Sequence, residues 1–161
     1  MATFNNLKGL LKHVSKQVEA SLKDEVADTV RFEEQKQIEN VVYDSYPYPY
    51  VYERRRFNDG GLQDIDVMVA EIQRTPDGVV LSIVNLAKGQ DQEDLYLAPL
   101  VEYGHDNGHG YYQYPYNQDD TAWKFLQSRP FTAATIEALQ RSKKHVKSLK
   151  EGLKKRGIKS V

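Results

Sequence analysis

Residues 64–87 read DIDVMVAEIQRTPDGVVLSIVNLA, and this stretch decides the fold. β-Branched residues are frequent on both sides of TPDG at 75–78, a segment that places Pro at the second position of a turn. The pattern predicts a β-hairpin. The second strand carries apolar residues on both faces, with Val79, Leu81 and Ile83 on one and Val80, Val84 and Leu86 on the other. A sheet of this kind is covered on both sides or contacts a neighbouring chain.

A long amphipathic helix precedes the hairpin. Apolar residues recur every three or four positions from Phe4 to Val30, which places them on one stripe of a helix. No Gly lies between Leu10 and Asp44 and no Pro precedes Pro47, so the helix is predicted to run to about Asn40, with a weaker stripe after Val30. Its length suggests either packing against a partner chain as well as its own sheet, or a frayed end.

The chain after the hairpin is predicted to end in a helix. GQDQED at 89–94 is predicted to be a solvated loop, and LAPLVEYG at 97–104 a short helix that Gly104 ends. From residue 128 onward, apolar residues again follow helical spacing, with Ser128 or Thr132 as predicted caps. The sequence therefore predicts one α+β domain over residues 1–161, with a long N-terminal helix and a C-terminal helix packed on a small antiparallel sheet.

Two tyrosine-rich segments interrupt this pattern, at residues 43–61 and 105–122. Pro and Gly exclude continuous helix in both, so both are predicted to be long loops. Tyrosine offers a large contact area with few rotors, which is typical of protein interfaces. The predicted interface anchors are Tyr48, Tyr50, Tyr112 and Tyr114. In the alternative interpretation, these tyrosines cover the edge of the domain's own core.

Charge is unevenly distributed along the chain. Residues 141–161 hold nine Lys or Arg against Glu151 alone, whereas residues 1–140 hold thirteen against twenty-two acids. A basic tail of this density binds phosphate backbones or forms a solvated helix face. The chain has no cysteine and no run approaching the about 18 apolar residues of a membrane span, which favours an intracellular, soluble protein.

Three short motifs follow one another in a recognisable order. They are Arg55, Arg56, Gly60, Gly61 and Leu62; then Tyr96, Val101, Glu102 and Gly104; then Arg129, Pro130 and Phe131. In this order the chain resembles the phage family of head–tail joining proteins, also called tail-completion, neck or minor tail proteins, over roughly residues 5–150. It departs from the family at Asp59, where a variant carries Thr, and in its longer, more aromatic loop after His105. These departures leave neck subunit and tail terminator as alternatives.

The resemblance implies a structural subunit without catalysis or cofactor. It implies a homo-oligomeric ring, hexameric or dodecameric, that contacts the connector or adaptor on one side and the tail tube on the other. DNA passing through the channel is a further implied partner, and no membrane is involved. The expected location is the neck or tail of the virion, with the host cytoplasm as the site of assembly.

The residues of the motifs also suggest physical roles. Gly60 and Gly61 permit a sharp turn before the hairpin. Glu102 follows apolar residues, and its carboxylate needs a partner, for which we consider Arg55, Arg56 and Arg129. We therefore hypothesise an ion pair, within one chain or between neighbours, with an exposed Glu102 as the alternative.

Two other functions remain open from the sequence. His105 and His109, with Asp106 between them, have metal-ligand character, and a metal-dependent hydrolase would use them. Glycines around them exclude the helical spacing of known zinc motifs, and no phosphate-binding loop or nucleophile elbow occurs, so we predict no enzyme and no metal. The second alternative is a DNA-binding protein that uses the basic C-terminal helix.

Overall fold

The computed structural model describes residues 6–45, 55–89, 92–104 and 127–158. Within these ranges, helices pack on small antiparallel sheets, which confirms the predicted α+β class.

The long N-terminal helix is continuous from residue 7 to residue 43. It consists of α1 (Leu7–Ser21) and α2 (Ala27–Ile38), each followed by one π-helical turn, Leu22–Val26 and Glu39–Tyr43. The side chain of Asn6 caps its start by accepting a hydrogen bond from the Gly9 N–H at 2.7 Å. The helix thus extends slightly past the predicted end. Its apolar stripe weakens after Val30 because the buried face there carries Glu33 and Glu34.

The predicted hairpin is present with the predicted turn. Strand β1 (Met68–Thr75) pairs antiparallel with β2 (Gly78–Asn85), so that Val69 lies opposite Val84 and Gln73 opposite Val80. Pro76 and Asp77 occupy the turn between the strands. One face of the hairpin packs on the long helix, as Arg31 shows by donating from Nε to the Met68 carbonyl at 2.7 Å.

The prediction of a solvated loop at 89–94 was wrong. Strands β3 (Lys88–Gly89) and β4 (Gln92–Tyr96) form a second antiparallel pair, and helix α3 (Leu97–Tyr103) follows directly. The sequence did not reveal this pair because most of its residues are polar and its strands are too short to show an alternation of apolar residues. The predicted short helix is confirmed, and Gly104 ends it with a φ of 74°.

The single predicted C-terminal helix is two helices. Helix α4 (Phe131–Ser142) and helix α5 (Lys144–Lys155) meet at Lys143, which has a left-handed backbone with φ 54°. Neither Ser128 nor Thr132 caps α4; Pro130 occupies the N-cap position and its side chain accepts no capping hydrogen bond. Helix α5 runs antiparallel to the long helix, because Lys144 contacts Glu33 while Arg156 contacts Glu25.

The core lies where the long helix, the hairpin, α3 and α4 meet. Its buried members are Ile38, Val42, Leu62, Met68, Ala87 and Phe131. Leu97, Ala98 and Val101 of α3 pack against it from one side. A second seam joins α5 to the long helix, and there Gly152 is required. A Cβ on Gly152 would lie 2.9 Å from the Ser21 Cβ and 2.7 Å from Glu25 Oε2.

Candidate functional site: the motif junction and the exposed apolar surfaces

The first motif forms a tight turn between the long helix and the hairpin. Asp59 and Gly60 both have positive φ, at 56° and 73°. A Cβ on Gly61 would lie 1.8 Å from the Arg55 carbonyl oxygen, so no other residue fits there without moving the backbone. Arg55 closes the turn by donating to the carbonyls of Asp59 at 2.9 Å and Lys88 at 2.6 Å. Gly60 therefore has the left-handed backbone that glycine favours, whereas Gly61 is constrained by the close approach of the Arg55 carbonyl.

Arg56 anchors this turn to the long helix. Its guanidinium forms an ion pair with Glu39 and stacks 4.7 Å from the centroid of the Tyr43 ring. The buried Gln63 donates from Nε2 to Glu39 Oε2 at 2.8 Å and to the Gln35 carbonyl at 3.1 Å. Gln35 returns a hydrogen bond to the Gln63 carbonyl at 2.8 Å. This polar cluster fixes the register between the turn and the helix.

Asn85 joins three elements at the end of β2. Its side-chain amide donates to the Leu62 carbonyl at 2.9 Å and to Glu34 Oε1 at 3.1 Å, and its oxygen accepts from the Ala87 N–H. All three contacts are buried, so Asn85 ties the turn, the hairpin and the long helix together. Sequence reasoning missed Asn85, Gln63 and Glu39, because isolated polar residues in a strand, a turn and a helix carry no motif.

The second and third motifs meet beside the core. The Arg129 N–H donates to the Val101 carbonyl at 2.8 Å, and Ser128 Oγ donates to the Glu102 carbonyl at 2.5 Å. Phe131 is 1% exposed and packs in the core with Leu62 of the first motif. Three motifs that are far apart in sequence therefore come together at one junction.

Glu102 caps helix α4. Its Oε2 accepts the Thr132 N–H at 2.9 Å, in the first turn of the helix, where the helix dipole favours a carboxylate. Arg56 pairs with Glu39 and Arg55 binds backbone carbonyls, so neither provides the ion pair predicted for Glu102. None of the ion pairs formed within the described ranges includes Glu102. The unpaired N–H groups at a helix start provide the partner instead. An ion pair of Glu102 with a neighbouring chain stays a prediction.

Two adjacent buried carboxylates in α2 have opposite environments. The hydrogen bond from Lys144 lowers the pKa of Glu33, against the opposing effect of burial, and Gln37 adds a second hydrogen bond. Burial raises the pKa of Glu34, which receives one hydrogen bond from Asn85 and is further raised by the nearby charge of Glu102. Glu34 is 7% exposed. Of these two neighbours, Glu33 is thus stabilised as a carboxylate and Glu34 favours its neutral form.

The outer face of the hairpin exposes four apolar side chains, with Glu71, Gln73 and Ser82 between them. Val80 is 45% exposed and Val84 39%, and Val69 and Leu86 lie on the same face. The opposite face, with Val79, Leu81 and Ile83, is half-buried. Within the described residues, the hairpin is a two-stranded sheet with no further strand at either edge. The predicted two-faced strand is therefore covered on one side.

The start of the long helix forms a second exposed apolar surface. Leu7 is 69% exposed and Leu11 59%, with Leu10 beside them. Further along the same stripe, Val14 and Val18 are half-buried and Ser21 is buried. The first two turns of α1 therefore project past the part of the domain that covers the rest of the stripe.

The predicted tyrosine anchors and metal ligands lie outside the described residues. This applies to Tyr48, Tyr50, Tyr112 and Tyr114, to His105 and His109, and to the whole predicted loop 105–122. In the ranges that are described, no group of three or more metal-ligating side chains converges, and no helix has the length and apolar character to span a bilayer. These predictions stay predictions.

The sequence model of the family described as YomN matches residues 6–155. This family is of a phage-derived, prophage type, which supports the predicted phage origin. Neither a curated protein nor a solved structure matches the chain.

Proposed function

The chain belongs to the YomN family, and on that premise we propose that it is a structural, non-catalytic subunit of the phage neck that joins the head to the tail. In this proposal identical subunits form a ring, with the connector or adaptor on one side and the tail tube on the other. A tail terminator is the closest alternative role within the same assembly.

The arrangement of the motifs supports this proposal. The resemblance to head–tail joining proteins rests on three motifs, and these meet at one junction. There Leu62 and Phe131 pack in the same core, and the backbone N–H of Arg129 donates to the Val101 carbonyl. Motifs that were merely coincidental in sequence would have no reason to meet in space. Their function here is architectural, since they fix the turn, the hairpin and helix α4 relative to the long helix.

The observation that carries the joining role is the exposed apolar face of the hairpin, formed by Val69, Val80, Val84 and Leu86. Apolar residues grouped on one exposed face mark interaction surfaces in soluble proteins. An assembly subunit needs such a surface.

Substitution of this face tests the proposal in the phage that encodes the chain. The variant Val80→Lys with Val84→Lys should fold, because both side chains are exposed, yet it should fail to complement a disrupted gene. Burying an unpaired ammonium costs well over the about 1.4 kcal/mol that corresponds to a factor of ten, so infectious particles should fall more than about tenfold.

A matched control adds the same two charges elsewhere. Ala133 and Gln140 are exposed positions of α4, and the variant Ala133→Lys with Gln140→Lys should complement normally. Complementation by the hairpin variant at the level of this control, with both proteins equally abundant, would contradict the role of the hairpin face.

A further inference from the structure

Helix α5 has an inner face on which charge is neutralised. Ser148 Oγ lies 2.6 Å from Thr29 Oγ1 at the centre of the seam with the long helix. At one end Lys144 Nζ pairs with Glu33 at 2.8 Å, and at the other Arg156 pairs with Glu25 at 2.7 Å. Glu33 and Glu25 of the long helix, which face α5, are therefore neutralised by Lys144 and Arg156 at the two ends of the seam.

The outer face of α5 carries a different set of lysines. The lysine row consists of Lys143, Lys147, Lys150 and Lys154, all exposed and spaced four, three and four residues apart. Lys143 lies at the break before α5, and the spacing of the other three keeps them within about 60° of one face of α5 and spreads them along about 10 Å. Within the described part of the chain, the one ion pair in the row joins Lys147 and Glu151 at 4.0 Å, and both side chains are mostly exposed. Such a pair contributes little.

We propose that the lysine row binds the phosphate backbone of duplex DNA. The row is a straight array of positive charge, and duplex DNA is a straight array of negative charge with one phosphate per about 1.7 Å of axis. Lysine contacts of this type hold the backbone and do not select a sequence. This inference does not depend on the neck role, because it rests on the position and exposure of the lysines alone.

Two observations favour duplex DNA over other anionic partners. Lysine is depleted at protein–protein interfaces, and among the described residues of α5 Val146, at 39% exposure, is the one exposed large apolar side chain. An acidic protein would therefore find no apolar anchor there. No aromatic side chain lies in α5, so the stacking platform typical of single-strand binding is missing from this helix.

The test is the binding of purified full-length chain to a fluorescently labelled 30-base-pair duplex, followed by anisotropy from 25 to 300 mM NaCl. Four phosphate contacts predict that the logarithm of the binding constant falls with the logarithm of salt with a slope of about −3 to −4. Two duplexes of unrelated sequence should bind equally.

Variants assign the binding to the row. Lys147→Gln, Lys150→Gln and Lys154→Gln together should weaken binding more than about tenfold at 50 mM NaCl and reduce the slope to about −1. The same three positions changed to Arg should retain wild-type binding, because charge is kept. Lys8→Gln, Lys12→Gln and Lys16→Gln form the matched control on α1, with an equal change in net charge, and should leave the slope unchanged.

The outcomes that would overturn the proposal are specific. They are no duplex binding at 25 mM NaCl, or an equal loss in the α5 and α1 variants with thermal unfolding unchanged in both. Binding of polyglutamate without binding of duplex DNA would assign the row to an acidic protein instead. If the glutamine variant unfolds, failure of the arginine variant to bind DNA while folded would also overturn the proposal.

Discussion

At the scale of single residues, Glu33 and Glu34 provide the sharpest contrast. Glu33 is stabilised as an anion by Lys144, whereas burial and Glu102 favour the neutral form of Glu34. The same substitution at the two neighbours should therefore have opposite effects. Glu33→Gln should lower the free energy of unfolding by about 1 kcal/mol at pH 8, because it removes a charged hydrogen bond to a half-exposed lysine.

Glu34→Gln should raise the free energy of unfolding by about 1 kcal/mol at pH 8, because an amide can still accept from Asn85 without the cost of burying a charge. The raised pKa of Glu34 means that the folded chain keeps a proton which the unfolded chain has released. Its contribution to stability is therefore lost as pH rises from the ordinary Glu range through the folded pKa.

Urea unfolding from pH 8 to pH 4 checks both substitutions. The gain from Glu34→Gln should vanish as pH falls into the ordinary Glu range, where the wild-type carboxyl is protonated in both states. The lowered pKa of Glu33 gives the opposite sign, since its contribution is present above the ordinary Glu range and is lost as pH falls through the folded pKa. The same sign of effect at pH 8 for both variants would contradict this account.

Gly61 provides a steric prediction at the same scale. Gly61→Ala should destabilise the protein by about 2 kcal/mol or more, because the new Cβ would collide with the Arg55 carbonyl and the turn would have to open. Gly157→Ala is the control, since its φ is 81° but its Cβ would meet no atom within 4 Å. The control should cost about 1 kcal/mol from backbone strain alone. Thermal unfolding of both variants compares them, and equal costs would refute the steric role of Gly61.

At the scale of elements, the break between α4 and α5 depends on one residue. Lys143 adopts a left-handed backbone, a conformation that costs a residue with a Cβ about 1 kcal/mol relative to Gly. Lys143→Gly should therefore raise the midpoint of thermal unfolding. Lys147→Gly, which removes the same charge from the helical interior of α5, should lower it by a similar free energy. If Lys143→Gly lowers the midpoint of thermal unfolding as Lys147→Gly does, Lys143 does not have the left-handed backbone that separates α4 from α5.

The elements also show what sequence patterns can predict. The long helix and the hairpin follow from periodicity, and the helix at 97–103 follows from Pro99 and Gly104. The break at Lys143 could not be predicted, because no Gly or Pro marks it and the apolar spacing continues across it. The β3–β4 pair was missed because its residues are polar and its strands are short.

Sequence patterns also predicted part of the candidate site. The glycine turn was predicted from the motif, and the apolar outer face of β2 from alternation along the strand. The role of Glu102 was not predicted, because its partner is a backbone N–H about thirty residues away in a helix whose start the sequence did not locate. The network of Gln63, Glu39 and Asn85 likewise depends on long-range packing, which single-sequence reasoning does not supply.

At the scale of the whole molecule, two surfaces point outward from one scaffold. The hairpin presents an apolar face, and α5 presents a row of lysines with little internal compensation. The long helix connects them, because the hairpin and α5 both pack on it. A subunit built in this way can contact a protein neighbour through one surface and a polyanion through another.

The joining role is tested most directly by electron microscopy of the particles made when the gene is disrupted in its phage. We predict DNA-filled heads that accumulate apart from finished tails, and restoration of whole virions when the intact gene is supplied in trans. Normal, infectious virions in the absence of the gene would contradict the proposed function.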